Sequence, residues 1–246
     1  MCDKKNLNIM IFTEDVLADA DKHGHPDVRV AYPDGLFAAI AGAFGADKYS
    51  VRAAGMEDIR VTITKESLAD TDVLIWWGHC HHGEVPDEIA ELVSIEVQKG
   101  MGFIALHSAH MSKPFKRLLG TSGSLGWRDN DRERVWTAAP YHPIARSIPR
   151  YFELPKEEMY CEPFDIPSPE DIVFIGWFAG GEVFRSGVTY RRGYGRVFYF
   201  QPGHEEYPIY YDETIRQVLR NAVDWAAPEL RRLDLGCPNL KELLEK

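Results

Sequence analysis

Short apolar runs recur along the chain, separated by polar and glycine-rich stretches. Asn8 to Phe12 (NIMIF), Asp72 to Trp77 (DVLIWW) and Phe103 to Leu106 are nearly free of polar interruption, and Tyr49 to Ala54 alternates. Uninterrupted runs of this length suit central strands of a parallel sheet, which helices cover on both faces. Two helical periods lie between them. Pro33-Asp34-Gly35 opens one helix with Leu36, Phe37, Ile40 and Phe44 on a single face, and Pro86 opens another that carries Ile89, Leu92, Val93, Ile95 and Val97 to a stop at Gly100. The expected order is strand-helix-strand-strand-helix-strand-helix, a doubly wound open sheet. Beyond it the pattern turns β-rich. Arg132 to Ala138 and Phe152 to Leu154 read as short strands around the turn Tyr141-His142-Pro143. Ile172 to Trp177, Val183 to Tyr190 and Val197 to Phe200 read as an antiparallel run. Glu213 to Ala226 is amphipathic and helical. The organisation expected is one α/β domain over residues 1–227 and a tail over 228–246 with a short helix from Asn239 to Leu244.

The stretch Met101 to His110, MGFIALHSAH, has a distinctive shape. His107 stands where the strand stops, and Ser108 and Ala109 permit a tight turn into a helix running through Pro114 to Leu119. A nucleophile elbow has this form, with one side chain pushed out over the carboxyl edge of a parallel sheet. Here that side chain is an imidazole. The strand Asp72–Trp77 empties into Gly78-His79-Cys80-His81-His82-Gly83, and the strand ending at Phe200 into Gln201-Pro202-Gly203-His204-Glu205-Glu206. Ligands bind where such strand ends share an edge, so His79, His82, His107 and His204 are expected to become neighbours. Neutral imidazole is a common ligand for zinc and related divalent metals. Glu14, Asp15 or Glu206 would supply an oxygen ligand or a general base. Any single loop histidine is more often solvated or hydrogen-bonded than a ligand, so a metal site and a bare imidazole cluster both stay open. His110 flanks the pocket or serves the helix start. Adjacent residues point apart in extended backbone, which argues against a Cys80–histidine dyad.

Composition narrows the partners. With 246 residues, 45% of them hydrophobic, the chain can build one large core, and a net charge of −10 with only isolated arginine pairs argues against nucleic acid. No apolar run reaches membrane-spanning or signal-peptide length, and the four cysteines have no C-x-x-C spacing, so a cytoplasmic protein with reduced thiols is expected. The glycines of Gly120 to Gly126 have neither Walker nor G-x-G-x-x-G spacing, so no nucleotide cofactor is expected. Among the aromatic residues, Tyr207 and Tyr210, close after His204, are kept as sugar contacts; Trp76, Trp77, Trp127, Trp177 and Tyr211 are read as core or subunit interface.

Four segments together resemble the ThuA-like trehalose utilisation family: Trp76-Trp77-Gly78-His79-x-x-His82; the elbow from Gly100 through His107-Ser108-x-His110-x-Ser112-Lys113; Pro202-Gly203-His204-Glu205-x-Tyr207-Pro208; and Tyr32-Pro33-Asp34-Gly35. The resemblance covers almost the whole chain apart from the tail. It implies membership of the class I glutamine amidotransferase-like superfamily, a flavodoxin-like, mostly parallel sheet with a β-rich extension, and a place in breakdown of trehalose or related disaccharides through keto-sugars. Superfamily amidotransferases carry cysteine at the elbow; His107 stands there instead, so glutaminase activity is expected to be absent. The preferred reading is an enzyme acting on a sugar or keto-sugar. His79, His82, His107 and His204 hold a divalent metal such as zinc, His107, His204 and Glu206 carry the chemistry, and Glu14, His110, Lys113, Tyr207 and Tyr210 contact the substrate. Hydride steps of the pathway would need a partner oxidoreductase. The alternative is a non-catalytic sugar-binding or regulatory protein with a degenerate pocket. A homo-oligomer is expected from apolar residues in the tail.

Overall fold

Strand direction decides where the polar strand ends collect. The structure, a computed structural model, describes residues 6–14, 16, 27–242 and 245. It begins with β1 (Leu7–Thr13), α1 (Asp27–Ala31), α2 (Gly35–Ala41) and β2 (Tyr49–Gly55). Two short helices, α3 (Ile59–Thr62) and α4 (Lys65–Ala69), lead into β3 (Val73–Trp77), α5 (Asp87–Lys99), β4 (Gly102–Leu106) and α6 (Lys113–Leu119). Then follow β5 (Gly126–Thr137), β6 (Tyr151–Cys161), β7 (Asp171–Phe178), β8 (Val183–Arg192), β9 (Gly195–Phe200) and α7 (Glu213–Ala226).

Among the described residues the strands form a single sheet in the order β2-β1-β3-β4-β9-β8-β7-β5-β6. From β2 to β9 the neighbours are parallel, so β1, β3, β4 and β9 all finish on one edge. From β9 to β6 they are antiparallel, which is the expected β-rich extension. Alternation splits the core in two: Ile9 and Ile11 face α2 and α7, while Met10 and Phe12 face the side covered by α3 to α6. Both faces of β3 and β4 are buried throughout, the physical reason their sequences are continuous apolar runs.

Local chemistry sets the helix ends. Thr64 and Ser67 make a reciprocal capping box on α4, Ser112 caps α6 with Pro114 in its first turn, and Asp212 accepts two backbone N–H groups at the start of α7. The sequence pattern shows no helix between the second and third strands, but α3 and α4 lie there. Each is only four or five residues long, too short for a 3.6-residue period to register. The tail differs as well: Pro228 to Glu242 contains no helix, while Leu243 and Leu244 lie outside the described residues. Arg231 instead fastens this segment by donating to the carbonyls of Leu68 and Thr71.

The largest departure is β6, which runs on to Cys161 where the pattern stops at Leu154. Pro155, Lys156, Glu157 and Glu158 follow Leu154 and look like a loop. The pairing explains why they are not one. Asp131 pairs with Glu157 but Glu133 with Leu154, so β6 bulges at Pro155-Lys156; β5 bulges at Asp129-Asn130, where Asn130 has φ 62°. Proline without an N–H is tolerated at such a bulge, and the extra residue bends the strand. Although β7 and β5 separate them in the sheet, β6 also packs against β8. The sheet curls until its last strand reaches the carboxyl edge of the parallel half.

Candidate active site

Each histidine reaches the edge by its own local device. His107 follows β4 in the left-handed region, φ 52°, and opens a 3₁₀ turn, His107–Met111, ahead of α6. A side chain there costs about 1–2 kcal/mol relative to glycine, so the elbow is strained where the imidazole projects. His79 follows β3 through Gly78. A Cβ at Gly78 would lie 2.8 Å from Glu14 Oε1 and 3.3 Å from the His82 ring, so glycine lets the segment close over Glu14. Glu14 Oε2, at the end of β1, accepts the backbone N–H groups of His79, Cys80 and His81 at 2.9, 2.8 and 3.1 Å. Glu14 therefore holds the loop that presents His79, and it also lines the cleft. His204 stands after β9, where Glu157 accepts from Gly203 N at 2.9 Å and from His204 N at 3.2 Å.

The three imidazoles form a nearly regular triangle, with ring centroids 5.8 Å apart for His79–His107 and 5.3 Å for both His79–His204 and His107–His204. Glu158 from β6 completes the group: one donor atom from each of His79, His107, Glu158 and His204 lies within 4.8 Å of the others. His107 Nδ1 donates to the Gln201 carbonyl at 3.0 Å, and its Nε2 lies 3.1 Å from Glu158 Oε2; burial would lower the ring, but the Glu158 carboxylate outweighs it and raises it. Those two buried atoms are close but make no aligned hydrogen bond with each other or any other group. Both look toward a common point. His79 Nδ1 lies 2.8 Å from Glu205 Oε1, a carboxylate–histidine pair of the kind that orients a metal ligand from behind.

His79, His107 and Glu158 are placed to hold a divalent cation, which would displace the protons that Glu205 and Glu158 stabilise on the two rings. His204 fits on one condition. Its Nδ1 accepts the Glu206 N–H at 3.1 Å, so a neutral ring carries its proton on Nε2. Either nitrogen can take a cation only once the Glu206 bond is released. Three protein donors with an open fourth position is the arrangement of catalytic rather than structural zinc sites.

The electrostatics follow from burial and pairing. Burial alone would lower His79, but the hydrogen bond to Cys80 and the Glu205 carboxylate outweigh it and hold the ring at about 11. Burial would raise Glu205, but His79 pulls it to about 2. His204 is pushed down to about 4 by burial against the opposing Glu205 charge. His82 and His110 are lowered to about 4 and about 3, again mainly by burial. At neutral pH these last three rings are neutral. His110 Nδ1 donates to the Gly123 carbonyl at 2.7 Å, which fixes its tautomer and leaves Nε2 as an acceptor.

The cleft above this floor has a volume of about 840 Å³. Its wall includes His82, His110, Glu206 and the hydrogen-bonded pair Ser108 and Tyr160, 2.7 Å apart. Tyr160 stacks on the His107 ring at 5.3 Å.

Several expected roles change place. His82 lies outside the four-residue group; its Nδ1 is 3.9 Å from Glu14 Oε1. The carboxylate against the imidazoles is Glu205, with Glu206 farther along the wall. Lys113 makes a surface ion pair with Asp87 at 2.7 Å, off the cleft. Tyr210 is fully buried beneath Gly203 and Tyr207 packs against His204 at 5.1 Å, so both support the His204 turn without lining the cleft. Glu158 carried no signal in the sequence pattern, because the bulge that makes its strand is a pairing event. Asp15 lies outside the described residues.

A doubly wound α/β sheet with an imidazole on its elbow, and three more potential donors converging on it, defines a flavodoxin-like protein with a candidate site at the strand ends. The chain belongs to the ThuA family, described as trehalose utilisation, whose model matches residues 16–226. It is similar in structure to a ThuA-like protein from Bacteroides uniformis (16% identity, TM-score 0.63, covering 92% of this chain and 93% of that one). A ThuA-like protein from Parabacteroides merdae gives 15% identity and a TM-score of 0.65, with 92% of each chain covered. A cytoplasmic protein from Salmonella typhimurium LT2 gives 11% identity and a TM-score of 0.61, covering 90% of this chain and 100% of that one. At these identities the likeness shows the fold. Comparison with curated proteins gave no match. Among the described residues no helix is long and apolar enough to cross a membrane.

Proposed function

We propose that the protein is an enzyme of carbohydrate utilisation that acts on a sugar or keto-sugar, with a divalent cation such as zinc held by His79, His107 and Glu158 and completed by His204. The observation that supports this reading most is the convergence of His79, His107, Glu158 and His204, one donor atom of each within 4.8 Å of the others, beside a cleft that His79, Glu158 and His204 line. A cation there would take the place of the proton that Glu158 stabilises on His107. Bound there, the cation supplies Lewis-acid polarisation of a substrate carbonyl or hydroxyl oxygen. The chain's own residues do the rest. Glu205 orients His79, Gln201 fixes the His107 tautomer, and Glu14 holds the loop that carries His79. His204, neutral with its proton on Nε2 while Nδ1 accepts the Glu206 N–H, would donate a hydrogen bond to a substrate oxygen. Ser108 and Tyr160 present hydroxyls, and His110 a neutral acceptor, to the ligand. No thiol stands at the elbow, so no covalent glutamyl intermediate forms and glutaminase activity is absent.

The test is metal analysis of protein purified without chelator, then calorimetric titration with zinc. We expect one zinc per chain in the wild type, and at least tenfold weaker binding in His107→Ala and Glu158→Gln. The same site loaded with cobalt should give the intense visible bands of a tetrahedral centre. If neither zinc, cobalt nor manganese binds stoichiometrically at micromolar concentration, the metal reading is wrong.

A further inference from the structure

We infer that Gln201 is a positioning residue of this site, a strut that holds His107 and Glu158 beside each other across the curled sheet. The inference deepens the metal reading above and rests on it for the cation. His107 follows β4, and Gln201 follows β9, the parallel neighbour of β4. Glu158 lies on β6, which β8, β7 and β5 separate from β9 in the sheet. No backbone ladder therefore joins β6 to either of these strand ends. Gln201 makes the connection. It is fully buried and bonds to both residues: its main-chain carbonyl accepts from His107 Nδ1 at 3.0 Å, and its side-chain Nε2 donates to the Glu158 carbonyl at 2.9 Å.

Two further contacts anchor the strut itself. Gln201 N donates to the Ser186 carbonyl at 2.8 Å, which fastens it to β8. The Ser186 hydroxyl, which bonds to Glu133 Oε1 at 2.8 Å, stands 3.4 Å from Gln201 Oε1. With its oxygen turned to Ser186, the amide presents its NH₂ to Glu158. Glu157 supplies the reverse connection, since from β6 it accepts Gly203 N and His204 N beyond the end of β9. The two residues divide the donor group between them. Glu157 sets His204, and Gln201 sets the pair His107 and Glu158, whose Nε2 and Oε2 stand 3.1 Å apart. Methionine at 201 would have nearly the same length and no donor. It would free the Glu158 backbone while leaving the main-chain bond to His107 in place.

A double-mutant cycle between Gln201→Met and Glu158→Gln isolates what the amide does for the metal. In calorimetric zinc titrations Gln201→Met should bind about tenfold more weakly than wild type, yet add less than about twofold to the loss already caused by Glu158→Gln. Cobalt-loaded Gln201→Met should show the visible spectrum of cobalt-loaded Glu158→Gln rather than that of wild type. Asp212→Ala, which weakens the fold at the start of α7 outside the donor group, should keep the wild-type affinity and spectrum. A second readout needs no metal. In crystals of metal-free protein the separation of His107 Nε2 from Glu158 Oε2 should widen beyond about 4 Å, the limit of an ion pair, in Gln201→Met. It should stay near 3.1 Å in Asp212→Ala. Should Gln201→Met not fold, Gln201→Asn, whose amide stops one methylene short, carries the same expectations. Wild-type affinity and spectrum in Gln201→Met, or losses that add fully in the double variant, overturn the strut and leave the metal reading standing. If the wild type takes up no metal, the metal reading fails; the crystallographic separation then decides the strut, upheld if it widens and overturned if it does not.

Discussion

Replacing Glu157 and Glu133 by glutamine changes one atom in each of two fully buried carboxylates, and the two variants should move stability in opposite directions. Glu157 Oε1 accepts from Glu158 N at 2.9 Å and His204 N at 3.2 Å, and Oε2 accepts from Gly203 N at 2.9 Å. An amide has one acceptor oxygen. Whichever way it turns, its NH₂ meets at least one of these backbone N–H groups and leaves a buried donor unsatisfied, at about 1–3 kcal/mol, a loss that applies even though burial lifts the Glu157 carboxyl to about 7. Two of the three donors lie on the turn that carries His204. Zinc affinity should therefore fall about tenfold along with the urea midpoint, although Glu157 is not itself in the donor group.

Glu133 accepts only the Ser186 hydroxyl at 2.8 Å, and its second oxygen is unpartnered. Burial first, and the Glu157 charge second, lift its carboxyl well above the ordinary 4.5. An acid whose pKa is raised by folding contributes fully below its unfolded pKa, and that contribution is lost as pH rises toward the folded value, at about 1.4 kcal/mol per pH unit. Glu133→Gln does not titrate. It should match the wild type near pH 4 and exceed it by a margin that grows as the pH rises to neutral. Urea unfolding at pH 4, 5, 6 and 7 measures both variants. Equal destabilisation by the two, or a Glu133→Gln curve parallel to wild type at every pH, would refute the assignment of Glu157 as the anchor and Glu133 as a buried neutral acid.

Gly203→Ala should destabilise by about 2–4 kcal/mol and abolish zinc binding, read by thermal melting and calorimetry. The glycine has φ 143°, and a Cβ there would lie 2.0 Å from the Tyr210 hydroxyl. His107→Gly should be about 1 kcal/mol more stable than His107→Ala in urea, since φ 52° suits glycine, while both lose zinc. Asp212→Ala should cost about 1 kcal/mol, because Asp212 accepts from Thr214 N and Ile215 N at the start of α7. Lys113→Ala should leave zinc titrations unchanged and stability within about 0.5 kcal/mol, as expected for an exposed ion pair.

The parallel half of the fold was legible from local pattern because its central strands are buried on both faces and each long helix carries its own period. β1, β3, β4, α5 and α7 need no distant partner to be recognised, and the elbow at His107 is written in the change from Phe103-Ile-Ala-Leu106 to His-Ser-Ala. Once parallel strands are assumed, their ends must share an edge, so the meeting of His79, His107 and His204 follows from sequence and one topological rule. The rest depends on pairing. Glu158 sits in a stretch that begins with proline and carries three charges, and only the bulged ladder with β5 makes it a strand and bends it over the cleft. The same ladder places Trp127, read from sequence as core or subunit interface, in the wall of the cleft. Tyr210 and Lys113 show the converse, residues of suitable chemistry near site segments whose side chains tertiary packing sends into the core and out to solvent. Sequence determined which chemical groups stand at the ends of the parallel strands, because that order is set residue by residue. The structure alone decided which of them face one another, because register, bulges and sheet curvature are properties of pairs of strands.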